Sequence, residues 1–162
     1  MACEAVAHRE HDHHQCMSTA LAEAERLCRE RGLRFTEIRR RIFELVWSSH
    51  RPIGAYTLLE QFSLENGRTA PPTVYRALDF LLEQGLIHRV ASLNAYVGCT
   101  HPADHHTGAF FICSRCGSAL ELADAGMEQA IGQDADDIGF AVSSAVIEVS
   151  GTCARCQAAV HG

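Results

Sequence analysis

The stretch Pro71-Pro72-Thr73-Val74-Tyr75-Arg76-Ala77-Leu78-Asp79-Phe80-Leu81-Leu82 decides the fold. Proline suits the first turn of a helix, where its missing N–H costs nothing, and Thr73 lies at that start. At 100° per residue, Val74, Ala77, Leu78, Leu81 and Leu82 gather on one side. Arg76 points nearly the opposite way, with Tyr75 on the flank, and Gly85 ends the helix. Residues 86–90 and 95–97 then read as two strands around the turn Ser92-Leu93-Asn94.

Three helical segments precede this one. Ser18 or Thr19 can cap the first, which runs to about Arg31 with Leu21, Ala24, Leu27 and Cys28 on one face, and Gly32 ends it. Thr36 caps the next, where Ile38, Ile42, Leu45 and Val46 form a buried stripe while Arg39, Arg40 and Glu44 stay wet. The third begins near Ala55, turns Leu58, Leu59 and Phe62 inward, and stops near Gly67. Helices followed by a hairpin follow the winged helix-turn-helix plan, with the fourth helix as the recognition candidate. A major groove about 12 Å wide admits such a helix, and Arg76 could bind guanine O6 and N7 through its guanidinium fork. A small helical bundle with a solvated arginine fits the same pattern.

Charge separates this half from the next. The formal net charge is -6, and all 14 basic residues are arginine. Twelve of them lie at or before Arg89, where they balance the acids, so the excess negative charge sits in residues 93–162. The first half can therefore present a local basic face to nucleic acid, despite the acidic whole. A hydrophobic content of 47% with 21% charged residues describes a globular chain. No signal-like or membrane-spanning apolar run occurs, so the expected location is the cytoplasm, with reduced thiols and no membrane partner. Residues 1–17, with His8, His11, His13 and His14, read as a disordered His-rich leader.

The second half carries Cys113-Ser-Arg-Cys116 and Cys153-Ala-Arg-Cys156. Two such pairs supply the four thiolates of a tetrahedral zinc site. Disulfides or a redox Cys-x-x-Cys are the rivals, but a redox motif usually comes singly. With no open position such a site is structural and catalyses nothing. Residues 109–112 and 119–122 look like strands, 126–138 like an acidic helix, and 141–149 like a further strand. This α+β unit is too small for a large core of its own, so zinc and a partner subunit are expected to stabilise it.

A second constellation gathers at the junction: His88, Cys99, His101, Asp104, His105, His106 and Glu121. The mixed N/S/O set suits zinc better than magnesium, calcium or manganese and leaves iron(II) and cobalt(II) open. Spacing does not choose among His101, His105 and His106.

The run from Pro71 through Leu82 to Glu83-Gln84-Gly85, then Tyr96-Val97-x-Cys99, then His106-Thr107-x-Ala109-x-Phe111-Ile112-Cys113-x-Arg115-Cys116-Gly117, resembles the ferric uptake regulator family, and within it the zinc-uptake regulator branch. The iron-sensing branch usually places a His-His-x-His cluster ahead of the first Cys pair, where this chain has Gly108 and Phe110. The resemblance implies a regulatory zinc at His88, Cys99, His106 and Glu121, besides the structural zinc. It implies DNA contacts by Tyr56 and Arg76, with Thr73 and Tyr75 nearby. Two departures stand out. Thr36-Glu37-Ile38-Arg39 replaces the usual Thr-Pro-x-Arg, and Ser150 stands where a histidine often precedes the final glycine.

The expected fold is thus α+β. A leader (1–17) precedes a winged-helix DNA-binding domain (18–98), a hinge (99–107) and a zinc-stabilised dimerisation domain (108–162). The expected function is a zinc-responsive repressor of zinc-uptake genes that binds a palindromic double-stranded operator as a homodimer, with two zinc ions per subunit. Iron or peroxide sensing in the same family is the alternative, and a zinc buffer or chaperone a further one. No small-molecule substrate is expected. The His-x-Glu…Pro-Cys-x-x-Cys and His-Glu-x-x-His signatures of zinc enzymes are absent, so no catalysis is expected either.

Overall fold

The computed structural model describes residues 13–49, 51–103, 108–122, 125–143 and 145–159. Among these, six helices and two three-stranded sheets form an α+β architecture. Helices α1 (His13–Glu30), α2 (Glu37–Trp47), α3 (Ala55–Asn66) and α4 (Pro71–Glu83) come first, followed by the hairpin of β2 (Ile87–Val90) and β3 (Ala95–Gly98). A two-residue strand, β1 (Ile53–Gly54), joins the other edge of β3, so the order is β1-β3-β2, all antiparallel. In the second sheet, β4 (Gly108–Cys113) is central, antiparallel to β5 (Ala119–Leu122) and parallel to β6 (Val146–Gly151). Helix α5 (Ala125–Asp137) makes the crossover between β5 and β6, and α6 (Ala154–Ala158) follows. No helix among the described residues is long and apolar enough to cross a membrane.

The local chemistry explains most boundaries. Thr36 caps α2 by accepting a hydrogen bond from the Arg39 N–H, and prolines occupy the first positions of α4. Gly67 and Gly85 take positive φ just beyond α3 and α4. The helical stripes converge on one core: Ala24, Leu27 and Cys28 of α1, Ile42, Phe43, Val46 and Trp47 of α2, Leu58 and Phe62 of α3, and Val74, Ala77, Leu78 and Leu81 of α4.

Five expectations need correction. Residues 13–17 belong to α1 rather than to a leader, and Cys16 is buried and disulfide-bonded rather than reduced. Ser18 and Thr19 do not cap α1, because both hydroxyls donate back one turn to the Gln15 carbonyl at 2.9 Å. Ile38 is 41% exposed: it shares the angular face of Ile42 and Leu45 but stands in the first turn of α2, short of the buried stretch that begins at Ile42. The last strand begins at Val146, not 141. Gly139 and Phe140 are spent closing α5, where their N–H groups donate to Asp136 and Ala135. His8 and His11 lie outside the described residues.

The wing is buried on both faces. Along β2 and β3, Ile87 and Tyr96 turn toward the helices, while Val90 and Val97 turn away and pack on Phe110, Ile112 and Ala119 of the second sheet. Helices, wing and second sheet are therefore stacked layers, with the wing in the middle.

One close approach fixes the wing against α2. A Cβ built on Gly98 would lie 2.1 Å from the Trp47 ring, so this position admits hydrogen alone. Gly98→Ala is expected to displace the indole and lower stability by about 1–3 kcal/mol, read as a shift of the denaturant midpoint at unchanged slope.

Candidate metal centres and nucleic-acid face

The first centre forms where β4 and β6 end side by side. Cys113 is the last residue of β4, Cys116 lies in the turn after it, Cys153 precedes α6, and Cys156 lies within it. All four Sγ atoms lie within 4.8 Å of one another. They are free thiols, with Cys116 and Cys153 sulfurs 3.9 Å apart, far beyond the ~2 Å of a disulfide. Gly117 takes a positive φ and donates to the Cys113 carbonyl, folding the turn that aims both sulfurs inward. Ser114 N–H donates to the Gly151 carbonyl and Arg115 to the Cys156 carbonyl, locking the two halves together.

The electrostatics of this cluster call for a cation. The Cys153 N–H leads several donors in holding the Cys113 thiol down to about 5, and Ser118 holds Cys116 below its ordinary range. Cys156 is pushed up to about 12, first by Cys153 and then by burial and the remaining sulfurs. Protein donors thus stabilise the first negative charges and resist the last. A divalent ion supplies the missing charge, and four thiolates suit zinc.

The second centre draws on three segments. His88 comes from β2, Cys99 from just beyond β3, and Glu121 from β5. Their ligand atoms also lie within 4.8 Å of one another. Cys99 is 2% exposed, and its N–H donates to the Leu86 carbonyl, prolonging the hairpin. The Glu121 side chain is only 3% exposed, and its Oε1 sits 2.6 Å from His88 Nε2. The Thr100 N–H and hydroxyl both donate to the other oxygen, Oε2, at 2.8 and 2.7 Å. Glu121 is thereby oriented with one oxygen held by Thr100 and the other left toward His88 and Cys99. Phe110 packs edge-on against the imidazole, and Gly108 leaves room beside Nδ1.

Of the seven residues gathered by sequence, His88, Cys99 and Glu121 converge. His101 stands beside them, its Nδ1 2.9 Å from the Thr100 hydroxyl. Asp104, His105 and His106 lie outside the described residues. Thr100 was missed by sequence reading, since a threonine beside a cysteine carries no signal until Glu121 is brought to it.

Exposed side chains crowd the far face of α4. Arg76 is exposed there, Tyr75 is 46% exposed, and Tyr56 in the first turn of α3 is 71% exposed. Thr73 is half-buried, its N–H donating to the Ala70 carbonyl. Arg39, expected to be wet, lies 3.5 Å from the Phe80 ring centre and supports α4 from behind.

With this geometry in hand, known proteins can be set beside it. The sequence pattern described as "Ferric uptake regulator family" matches residues 30–150. The chain is 45% identical over 138 residues to the zinc uptake regulation protein of Escherichia coli (strain K12), covering 84% of this chain and 80% of that one. A zinc uptake regulator complexed with zinc and DNA superposes with a TM-score of 0.86 at 41% identity, over 90% of this chain and 98% of that one. Holo XcZur gives 0.80 at 42% identity, over 86% and 98% of the two chains, whereas apo XcZur gives 0.51 at 41%, over 87% and 97%. At matched identity, the structure is more similar to the holo form than to the apo form. By its sequence pattern and its relatives, the chain belongs to the ferric uptake regulator family.

Proposed function

We propose that this protein is a zinc-responsive transcriptional regulator, which binds a palindromic operator as a zinc-loaded homodimer and represses zinc-uptake genes. One observation carries this reading: His88 and Cys99 of the wing meet Glu121 of the second sheet. Likeness to a zinc uptake regulator complexed with zinc and DNA supports it. The reading assigns no catalysis and a cytoplasmic location.

Two zinc ions per subunit are assigned. Cys113, Cys116, Cys153 and Cys156 hold a structural ion, and His88, Cys99, Glu121 and His106 hold a regulatory one. At the second site zinc supplies the positive charge that a buried thiolate and carboxylate lack, within a tetrahedral N/S/O set. The residues do the rest. With Glu121 fixed by Thr100, an ion held by His88, Cys99 and Glu121 would join the wing to the second sheet. The wing shares the helical core with α4, so the recognition helix follows. In a two-fold dimer this fixes the separation of two such helices, and an operator with matching half-sites binds that geometry alone. Tyr56, Thr73, Tyr75 and Arg76 are assigned to the DNA face. Residues 13–98 then act as the DNA-binding module and 108–162 as the dimerisation module, joined by 99–107. Phe111 and Val149 remain 48% and 44% exposed beside Leu120, in an apolar groove of about 330 Å³ that a partner subunit would cover.

Cys99→Ser is expected to abolish zinc-dependent operator binding while leaving a folded dimer. Thr100→Val should weaken the regulatory zinc about 10- to 100-fold through loss of Glu121 orientation. Competition with a zinc-buffering chelator measures both, and a Cys99 variant that responds fully would refute the ligand assignment. Cys113→Ser should instead lower the thermal midpoint and remove its chelator sensitivity. Cys113 has its thiol pKa depressed, so the stability its thiolate lends is complete above the ordinary thiol range and lost as pH falls through about 5. Zinc retention at the four-cysteine site should also fall as pH falls, because protons compete with the ion for the thiolates, read by release to a colorimetric chelator. Arg76→Ala should cost roughly 1–3 kcal/mol of discrimination between operator and mutated operator. An equal loss on every sequence would assign Arg76 to phosphate instead.

A further inference from the structure

Glu148 lies within β6, in register with Phe110 of β4, and belongs to neither metal centre. Its carboxylate leaves its own sheet for the tip of the wing. Oε1 accepts the Ala91 N–H at 2.6 Å, and Oε2 accepts the Ser92 N–H at 3.1 Å. These two amides open the 3-10 turn Ala91–Leu93 that joins β2 to β3, and the preceding residue, Val90, offers no side-chain cap. The acceptor comes instead from 57 residues further along the chain. Ser92, chiefly through its hydroxyl, holds the Glu148 carboxyl below its ordinary range, so it is ionised at neutral pH.

Geometry gives this contact a consequence. His88 and Ala91 lie three residues apart along one extended strand, or about 10 Å at ~3.3 Å per residue. Attachment through His88 and Cys99, both at the base of the hairpin, leaves the wing tip free to pivot about that end. Val90 and Val97 resist sliding across Phe110 and Ile112, but apolar contact is non-directional and sets no angle. Two charge-assisted hydrogen bonds at a second point do set one. Their donors are backbone amides, so the angle is passed directly to β2 and, through Leu86 and Ile87, to the core beneath α4.

We infer that Glu148 is a positioning residue for DNA binding, a metal-independent latch that holds the wing tip on β6 and fixes the pitch of the recognition helix. This rests on the zinc-responsive reading above. The latch predisposes the closed arrangement, so the regulatory site completes a closure already half made. Without it, more zinc is needed to populate the same state.

The test uses the full chain and a duplex selected from a random pool by the wild-type protein with zinc. Glu148→Ala should raise the free zinc giving half-maximal duplex binding by about five- to thirty-fold, the span that loss of two modest contacts allows, while zinc stoichiometry stays unchanged. Glu148→Gln keeps one acceptor oxygen and should fall between. Amide exchange at Ala91 and Ser92 should quicken in Glu148→Ala both with and without zinc. A merely structural role would lower the thermal midpoint and leave the zinc titration in place. If wild type responds to zinc and the Glu148→Ala titration superposes on it, the latch is refuted while the regulatory reading stands. Duplex binding by wild type that ignores zinc would overturn that reading instead, and the exchange rates would still judge the latch. Should Glu148→Ala fail to fold, Glu148→Gln carries both measurements.

Discussion

A carboxylate and a thiol buried together, on segments distant in sequence, are the constraint on which this molecule depends. Glu121 and Cys99 are almost wholly excluded from solvent. A thiolate and a carboxylate in such a place would repel each other and be poorly solvated. Thr100 eases one oxygen of Glu121 with two donors, and His88 faces the other. A divalent cation would offset both charges and bind all three groups. The closed arrangement is thus the one in which a cation has most to neutralise, which makes metal supply a lever on shape.

That lever needs a stiff arm. The wing supplies it by being buried on both faces, with Ile87 and Tyr96 in the helical core and Val90 and Val97 in the second. A sheet that shares the large helical core cannot move against the helices without disturbing packing, so displacement at His88 becomes displacement of α4. Gly98 seated on the Trp47 ring ties the wing to α2, and Arg39 stacked on Phe80 ties α4 to the same helix. Coupling in this fold runs through packed backbone, with no need for a chain of side-chain rearrangements.

Much of this was legible in the sequence, for identifiable reasons. Helix periodicity placed the stripes of α2, α3 and α4, since burial repeats every three to four residues. The cysteine pairs announced themselves because each pair is local and only one long-range closure is needed. Ligands scattered over 33 residues, from His88 to Glu121, could be gathered as a set but not ordered, because spacing says nothing about which imidazole a folded hinge turns inward. Thr100, Gly98 and Glu148 left no trace at all. Each matters through a neighbour that only folding provides, and their residue types are ordinary at such positions. The start of α1 was misread for a related reason. Serine and threonine cap helices or bond back within them, and Cys16 packing into the core decides which.

The two candidate metal centres differ in ligand chemistry, four thiolates against a mixed N/S/O set, and topology separates what each can report. The four cysteines all lie beyond residue 112, on turns already joined by β4–β6 pairing and by the Arg115 bond to the Cys156 carbonyl. Losing an ion there loosens one module without changing its relation to the other. The second centre takes ligands from both sides of the wing contact, so its occupancy is a statement about that contact. Glu148 spans the same boundary with no metal at all, which divides the work: a fixed contact sets the direction of closure, and an exchangeable one sets its extent. A boundary held only by exchangeable ligands would require the ion to create the geometry it binds. One already poised by a carboxylate on two amides needs the ion only to tip a balance, and a poised balance responds over a narrow range of metal concentration.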